Sequence, residues 1–308
     1  MTGDVRHVPV LVREVLEWLR PERGGVYFDG TVGDGGHSEA ILEAGSGARV
    51  IGVDQDAEAL EVAARRLARF GERVELLHAN FADAAAVVEG PLAGVLLDLG
   101  LSWRQVDEAA RGFSFRPGTR LDMRMAGAAG GGATAADLLN ELSESELADL
   151  FYRYGEERRS RRLAAAVVAR RRVAPFEWSD DLLAVLEEVF GPRLRMQDRA
   201  RIFQSLRIAV NDELGALDRA LPLLRERLGG GGVMVVLSYH SLEDRRVKVA
   251  FREWSRGCIC PPELPVCRCR GVPLGEVLTR RPVQASEAEV RANPRARSVR
   301  LRAWRKAA

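Results

Sequence analysis

The chain has 308 residues, of which 46% are hydrophobic and 29% charged, and its formal net charge at pH 7 is +2. This length and composition are typical of a globular protein with a large core, in one elaborated domain or two. No apolar run approaches the roughly 18 residues that cross a bilayer, so we expect no membrane partner. The start MTGDVRHVPV lacks the basic and apolar regions of a signal peptide, and the sequence therefore predicts a cytoplasmic protein.

Short apolar runs alternate with helical patterns over the first part of the chain. The predicted strands cover 26–29, 48–54, 73–79 and 92–100, and the predicted helices cover 10–20, 37–45 and 56–71. Strands that are apolar throughout are typical of a parallel sheet with helices on both faces. The first part of the chain is therefore predicted to form an α/β domain.

The alternation stops after the fourth strand and resumes only in the last third of the chain. The intervening segment shows no convincing strand, and Ser143 and Glu146 form a capping box before an amphipathic helix. The elements predicted after it are a helix at 198–228, a strand at 232–241, a helix at 242–254 and strands near 276–284 and 297–304. We therefore predict a helical domain, 111–200, inserted between two parts of the α/β domain, 1–110 and 201–308.

The segment DGTVGDGGHS, residues 29–38, is a glycine-rich turn between a predicted strand and a predicted helix. Glycines allow a tight turn and a close approach of a ligand, and the N–H groups at a helix start attract negative charge. Asp54, at the end of the second strand, is placed to accept both hydroxyls of an adenosine ribose, as in NAD and S-adenosylmethionine sites alike. Such turns also occur without any ligand, so the glycines alone do not establish a site.

Three features of the sequence favour S-adenosylmethionine over NAD. The Asp29 carboxylate inside the turn would repel a pyrophosphate but suits a ligand with an ammonium and a sulfonium group. The third glycine of the dinucleotide pattern is missing, since Ser38 stands in that region. The segment NFAD, residues 80–83, follows the third strand, where it can flank an adenine. An NAD-dependent oxidoreductase and a non-catalytic RNA-binding factor are the alternatives.

Candidate catalytic residues follow two of the predicted strands: Asp98 in LLDLGLS, and Tyr239 and His240 in LSYHSLEDR. A methyltransferase must align the nucleophile with an activated methyl group and manage one proton. Asp98 can hold either the cofactor or a substrate amine. The pattern around His240 fits a hydrogen-bonded structural histidine as well as a catalytic one.

Ten motifs in order resemble the bacterial small-subunit ribosomal RNA cytosine-N4 methyltransferases, also called the RsmH or MraW family. They are HVPVL, DGTVGDGGHS, GVDQDAEAL, LLDLGLS, RGFSF, LDMRM, YGEERRSRRLA, FQSLRIAVNDEL, SYHSLEDRRVK and NPRARS. The resemblance implies a class I S-adenosylmethionine-dependent methyltransferase, Rossmann-like with a mostly parallel sheet and an inserted all-helical domain. It also implies N4-methylation of a cytosine in the decoding centre, the P-site region, of 16S ribosomal RNA in the small ribosomal subunit.

The resemblance places the family's cofactor contacts on residues of this chain. They are Gly35, Gly36, His37, Asp54, Phe81, Asp98 and Gln105. Many amino-methyltransferases carry an Asp/Asn/Ser-Pro-Pro-aromatic motif after the fourth strand, whereas this chain continues from Asp98 with Leu-Gly-Leu. We keep Asp98 and His240 as the candidate catalytic residues, with SYHS as a hypothetical source of the missing aromatic and acceptor groups.

Positive charge is almost entirely arginine and clusters at 158–172 and 291–306. Arginine forks pair with phosphate oxygens, so both clusters are candidate contacts to an RNA backbone. Pairing with acidic helices of the same chain is the alternative interpretation.

All four cysteines, Cys258, Cys260, Cys267 and Cys269, belong to two Cys-x-Cys pairs. Four thiolates can bind zinc tetrahedrally, but the spacing is tighter than the usual Cys-x₂₋₄-Cys. A reducing cytoplasm argues against disulfides. On the sequence alone we assign no metal site.

Overall fold

A computed structural model of the protein describes residues 9–102, 105, 108, 111–258, 260, 266 and 268–308. The chain divides into two compact units. One comprises Met1–Gly100 together with Gly215–Ala308, and the other comprises Leu101–Leu214. The second unit is therefore an insertion in the chain of the first.

A seven-stranded sheet forms the centre of the first unit. Its strands are β1 (Gly25–Asp29), β2 (Ala48–Asp54), β3 (Val74–His78), β4 (Leu92–Asp98), β5 (Leu228–Ser238), β6 (Gly275–Val277) and β7 (Arg300–Lys306). The strand order is β3-β2-β1-β4-β5-β7-β6. The first five strands run parallel, whereas β7 pairs antiparallel with β5 and β6. This arrangement confirms the predicted class I, mostly parallel α/β fold.

The described residues form α-helices in both units. In chain order, these helices are α1 (Val12–Leu19), α2 (Gly36–Ala44), α3 (Ala57–Leu67), α4 (Phe81–Val87), α5 (Ala135–Glu141), α6 (Glu144–Arg153), α7 (Ser160–Arg171), α8 (Ser179–Phe190), α9 (Met196–Asn211), α10 (Glu213–Arg227), α11 (Ser241–Trp254) and α12 (Glu287–Ala292). None of these helices combines the length and the apolar character needed to cross a membrane.

Helices cover both faces of the sheet, which explains why its strands are apolar throughout. Phe28 of β1 packs in one core with residues of α4, α10 and α11. Its neighbour Tyr27 points the other way and packs in a second core with residues of α1, α2 and α3. Because successive side chains of a strand alternate between faces, two buried faces require an unbroken apolar run.

The fifth strand begins earlier than predicted, because it includes a run of glycines that precedes the apolar residues. Its register against β4 shifts between Leu92 and Gly94. A Cβ atom at Gly232 would lie 2.9 Å from the carbonyl oxygen of Leu92, so the missing side chain permits this close approach. Glycine in a strand often marks such an irregularity rather than its end.

The second unit has a helical core of its own. Buried residues from α5 to α9 form one cluster, including Leu139, Phe151 and Leu186. The predicted domain end at residue 200 falls inside α9, whose Ile202 and Phe203 are buried in the same cluster. The unit therefore extends beyond both ends of the predicted range 111–200.

The single helix predicted across 198–228 is wrong, since α9 and α10 are separate helices. Asp212 between them has a φ of 46°, in the left-handed region, which short polar side chains tolerate better than most. The Asn211 side chain donates to the Met123 carbonyl and accepts from the Met125 N–H, both at 2.8 Å. These bonds anchor the end of α9. The apolar periodicity of the sequence does not reveal the break at Asp212, because only this residue separates the two helices.

Asp244 of α11 and Arg302 of β7 form a buried bidentate pair, with distances of 2.6 and 3.1 Å. We expect Asp244→Asn to lower the free energy of unfolding by about 3–5 kcal/mol, because it leaves the buried guanidinium without its counter-charge. Asp218→Asn is the matched control, because its pairing with Arg246 is exposed and such pairs contribute about 0–1 kcal/mol. Urea denaturation followed by circular dichroism measures both, and equal losses would contradict the argument.

Candidate active site

The carboxyl ends of β1, β2 and β4 carry most of the predicted site residues. Strand β1 lies between β2 and β4. The strand that follows β1 in sequence lies towards one edge of the sheet, and the strand that follows β4 lies towards the other edge. Open parallel sheets bind ligands in the crevice at such a switch point. The glycine turn follows β1, Asp54 ends β2 and Asp98 ends β4. The fold therefore brings together residues that are far apart in sequence.

The Asp29 carboxylate holds the glycine turn in place. This side chain is only 1% exposed, and it accepts hydrogen bonds from the Ser38 hydroxyl at 2.7 Å and the Thr31 N–H at 3.2 Å. Burial raises the pKa of Asp29, because the charged form has lost most of its water. The sequence predicts a negative charge inside the turn but not that Ser38 and Thr31 bind it.

Left-handed backbone at Gly33 and Gly35 shapes the turn, with φ of 50° and 83°. Gly35 also precedes α2 as its N-cap residue. A Cβ at Gly35 would lie 3.3 Å from the Leu67 side chain, and one at Gly36 would lie 3.0 Å from the ring of Pro9. A Cβ at Gly33 would meet nothing closer than 3.9 Å, so the turn is open on that side.

Asp54 connects the end of β2 to the turn. One carboxylate oxygen accepts the Gly33 N–H and the other accepts the Asp56 N–H, each at 2.9 Å. Burial raises the pKa of Asp54 to about 6, although both hydrogen bonds act in the opposite direction. Each oxygen keeps a lone pair, so the carboxylate can still accept hydroxyl donors.

The predicted adenine-flanking segment begins α4. The Asn80 side chain caps this helix by accepting the Ala82 N–H at 2.9 Å. Phe81, the first helical residue, is half-buried, and a Cβ at Gly30 would lie 3.1 Å from its Cβ. The bare glycine therefore lets Phe81 come close to the start of the turn.

Asp98 contacts residues of both the glycine turn and the end of β5. Its N–H donates to the Thr31 hydroxyl at 2.7 Å. The Tyr239 phenol donates to its carboxylate, and burial followed by this negative charge raises the pKa of Tyr239 well above its usual value. His37 Nδ1 lies 3.7 Å from Asp98 Oδ2.

The His37 ring is oriented by the amino-terminal segment. Its Nε2 lies 2.9 Å from the Val10 carbonyl oxygen. A carbonyl can only accept, so Nε2 carries the proton and Nδ1 faces the Asp98 carboxylate. Two of the predicted cofactor residues, His37 and Asp98, are therefore neighbours in space.

His240 lies one residue beyond Tyr239, at the N-cap position of α11. Its Nε2 is 2.9 Å from Glu243 Oε1, and both side chains are almost fully buried. The other oxygen of Glu243 accepts the N–H groups of Tyr239 at 2.8 Å and His240 at 3.3 Å. Sequence reasoning did not identify Glu243, although its place at the third helical position is typical of a capping residue.

Gln105 belongs to the second unit, so its grouping with the other site residues stays a prediction. Its side chain is buried, and its Oε1 accepts the Ser102 N–H at 3.1 Å. The residues on either side of it, 103–104 and 106–107, lie outside the described part of the chain.

Comparison with known proteins identifies the family. The profile of the MraW methylase family matches residues 4–307. The chain belongs to this family. It is 49% identical to the ribosomal RNA small subunit methyltransferase H of Heliobacterium modesticaldum, over 97% of this chain and 98% of that protein. Identity to the protein of the same name from Gemmatimonas aurantiaca is 50%, over 98% and 95% of the two chains.

A crystal structure of an rRNA methylase from Streptococcus thermophilus aligns with a TM-score of 0.43. It covers 98% of this chain and 99% of that chain at 9% identity. The family resemblance stated from the motifs is thus confirmed by the sequence matches, and the fold class rests on the strand order and directions described above. Membership in a methylase family of this fold makes S-adenosylmethionine, the predicted cofactor, the methyl donor.

The residues at the switch point fit this cofactor. The turn is open at Gly33, where a side chain would otherwise fill the space. The Asp54 carboxylate keeps lone pairs that can accept ribose hydroxyls. Gly35, Gly36 and His37 belong to the same turn and Phe81 lies beside it, and their contact with the cofactor stays a prediction.

We expect the affinity for S-adenosylmethionine to fall as the pH drops through about 6, the pKa of Asp54. Hydroxyl donors favour the ionised carboxylate, so below this pKa the dissociation constant should rise about tenfold per pH unit. Asp54→Asn should remove the pH dependence and weaken binding by about tenfold or more, since a hydrogen bond to a charged group contributes about 1.5–3 kcal/mol.

Isothermal titration calorimetry on both sides of this pH measures these effects. Glu75→Gln is the control, because it removes an exposed carboxylate from the neighbouring strand β3. Its affinity and pH profile should match those of the unmodified protein. An Asp54→Asn protein with the original pH profile would contradict the assignment.

Proposed function

We propose that this protein transfers a methyl group from S-adenosylmethionine to the N4 atom of a cytosine in the decoding centre of 16S ribosomal RNA. The expected substrate is the small ribosomal subunit. The family membership and the full-length similarity to proteins named small subunit methyltransferases support the RNA substrate. One observation carries the chemistry: a partly exposed carboxylate, Asp98, lies beside the cofactor turn and is held by Tyr239.

Methylation of a cytosine amine needs an acceptor for one proton. The N4 lone pair is delocalised into the pyrimidine ring and is a poor nucleophile. An acceptor that holds an amine hydrogen localises this pair and later takes the proton. The cofactor supplies a methyl group that its sulfonium already activates. Asp98 is the proposed acceptor, because its carboxylate is 21% exposed and lies at the carboxyl end of β4.

Tyr239 is proposed to position Asp98 and to supply the aromatic ring that the Asp98-Leu-Gly-Leu segment lacks. A Cβ at Gly100 would lie 2.7 Å from the Tyr239 ring, so the ring packs directly against the backbone that follows β4. Its phenol donates to Asp98, which leaves the other lone pairs of that carboxylate for a substrate amine. The aromatic group thus comes from β5 instead of β4.

His240 remains the second candidate catalytic residue. Its pairing with Glu243 also supports a positioning role, because Glu243 accepts the Tyr239 N–H and thereby fixes the chain at Tyr239. The two roles differ in their consequences. A proton acceptor changes the pH dependence of the rate, whereas a positioning residue changes the rate with little effect on its pH dependence.

The arginines of the cluster at 158–172 divide into two groups, those that are paired within the protein and those that are exposed. Arg170 pairs with Asp181 at 2.9 Å, and Arg171 donates to the Leu139 and Leu142 carbonyls, so these two hold the helical unit together. The remaining arginines of the cluster that are exposed are Arg158, Arg161, Arg162 and Arg172. We propose that these exposed residues, with Arg297 near the carboxyl terminus, contact the RNA backbone.

The product of the reaction tests the proposed function directly. Small subunits from a strain without the enzyme, incubated with the protein and labelled S-adenosylmethionine, should yield N4-methylcytidine on digestion and mass spectrometry. Subunits that already carry the modification are the control and should take up no label. Label on another base would contradict the cytosine assignment, and cofactor binding without any methyl transfer would favour a non-catalytic RNA-binding role.

Substitutions at the strand ends test the residue roles. We expect Asp98→Asn to lower the single-turnover rate by about 10²–10⁴-fold with cofactor bound, since it removes the proton acceptor. Tyr239→Phe should cause a smaller loss, about tenfold, because a hydrogen bond to a charged group contributes about 1.5–3 kcal/mol. Tyr152→Phe, at a tyrosine that is 62% exposed, is the control and should leave the rate unchanged. If His240→Ala left the rate and its pH profile unchanged, the catalytic assignment of His240 would be wrong.

A further inference from the structure

The loop between α11 and β6 brings three cysteine sulfurs together. The Sγ atoms of Cys258, Cys260 and Cys269 all lie within 4.8 Å of one another. The first and the last of these positions are 11 apart in residue number, so the chain must fold back on itself to bring them together. The proposed methyl transfer uses none of these thiols.

The distance between two of these sulfur atoms matches that between the ligands of one tetrahedral metal ion. The Sγ atoms of Cys258 and Cys269 are 3.8 Å apart. In a zinc site with Zn–S bonds of about 2.3 Å, tetrahedral geometry separates the sulfur atoms by about 3.8 Å. A disulfide would require about 2 Å between the two atoms. We propose that Cys258, Cys260 and Cys269 bind a structural zinc ion.

The backbone around the cluster supports this assignment. The Arg268 N–H lies 3.4 Å from the Cys260 sulfur and points a donor at it. Such N–H groups stabilise the negative charge of a metal-bound thiolate in the same way as other outer ligand contacts.

The base of the loop is anchored next to the cluster. Arg270, which follows Cys269, donates to the Glu253 carbonyl at 2.6 Å and the Arg256 carbonyl at 3.0 Å. The Leu274 N–H donates to the Trp254 carbonyl at 2.8 Å. The two ends of the loop are thus tied together by hydrogen bonds, and the proposed zinc ion would fix the part between them.

Three thiolates leave one position of a tetrahedral zinc ion for a further ligand. Cys267 lies outside the described residues, but in the sequence it precedes Cys269 by two positions, the spacing that also separates Cys258 from Cys260. Four thiolates would close the coordination sphere, as in structural zinc sites. The paired Cys-x-Cys spacing, tighter than the common pattern, is compatible with the observed cluster of sulfur atoms.

The proposed zinc ion has no part in the methyl transfer. Tyr239 and His240 precede the amino end of α11, whereas the cysteine loop follows its carboxyl end. This helix has 14 residues and is therefore about 21 Å long. Zinc binding and cofactor binding can accordingly be measured as separate properties of the same protein.

Metal analysis of the full chain tests the proposal. Protein purified under reducing conditions and reconstituted with zinc should hold one zinc ion per chain after removal of excess metal. Cobalt in its place should give thiolate-to-cobalt charge-transfer bands and the intense visible bands of a tetrahedral ion. Cys258→Ser and Cys269→Ser should each lose the bound zinc. Val266→Ser, at an exposed residue of the same loop, is the matched control and should retain it.

S-adenosylmethionine binding and circular dichroism establish that each variant is folded. If a variant does not fold, the cobalt spectrum of the unmodified chain shows whether the three cysteines bind a tetrahedral metal ion. Absence of stoichiometric zinc and of tetrahedral cobalt bands in the reconstituted protein would overturn the proposal. A disulfide between Cys258 and Cys269 in unreduced peptides from reconstituted protein would also overturn it. None of these results depends on whether the methyl transfer itself has been assigned correctly.

Discussion

The Asp29 and Asp54 carboxylates hold the glycine turn from two sides, and the geometry of the site depends on these buried charges. A turn containing Gly33 and Gly35 has many accessible conformations, so ordering it costs conformational entropy. Asp54 fixes the Gly33 N–H at 2.9 Å, and Asp29 fixes Ser38 at 2.7 Å. The raised pKa of each carboxyl shows that these bonds offset the loss of water only in part. A ligand that brings hydroxyl donors and positive charge would supply the remaining stabilisation.

The glycine turn is linked through residues 10 and 11 to α12 in the last part of the chain. The Val10 carbonyl orients His37, and the Leu11 N–H donates to Glu289 of α12 at 2.7 Å. Pro9 packs so close to Gly36 that a Cβ atom there would lie 3.0 Å from its ring, and the proline would have to shift. A change in α12 can therefore reach the glycine turn through a short series of contacts.

The sequence was sufficient to predict most of the elements around the site. Apolar runs marked β1 to β4, and the glycine turn and Asp54 had the spacing of a nucleotide site. It was not sufficient where the structure depends on which strands become neighbours. The contact between Tyr239 and Asp98 exists because β4 and β5 are adjacent, with Asp98 paired to Leu237. Local patterns contain no information about this adjacency, and they also missed the left-handed Asp212 and the glycines inside β5.

Adjacency also changes the meaning of residues that the sequence presents as departures from a pattern. The segment after β4 has no proline and no aromatic residue, yet Gly100 gives the Tyr239 ring the space that a larger residue would fill. The small Gly100 after β4 and the aromatic Tyr239 after β5 pack directly against each other. In the cysteine loop, the spacing of the two Cys-x-Cys pairs does not by itself indicate a metal site. The distances between the sulfur atoms are needed as well. For Asp98 and Tyr239 the arrangement in space joins two strands that are far apart in the sequence, whereas for the cysteines it arises within one loop that folds back on itself.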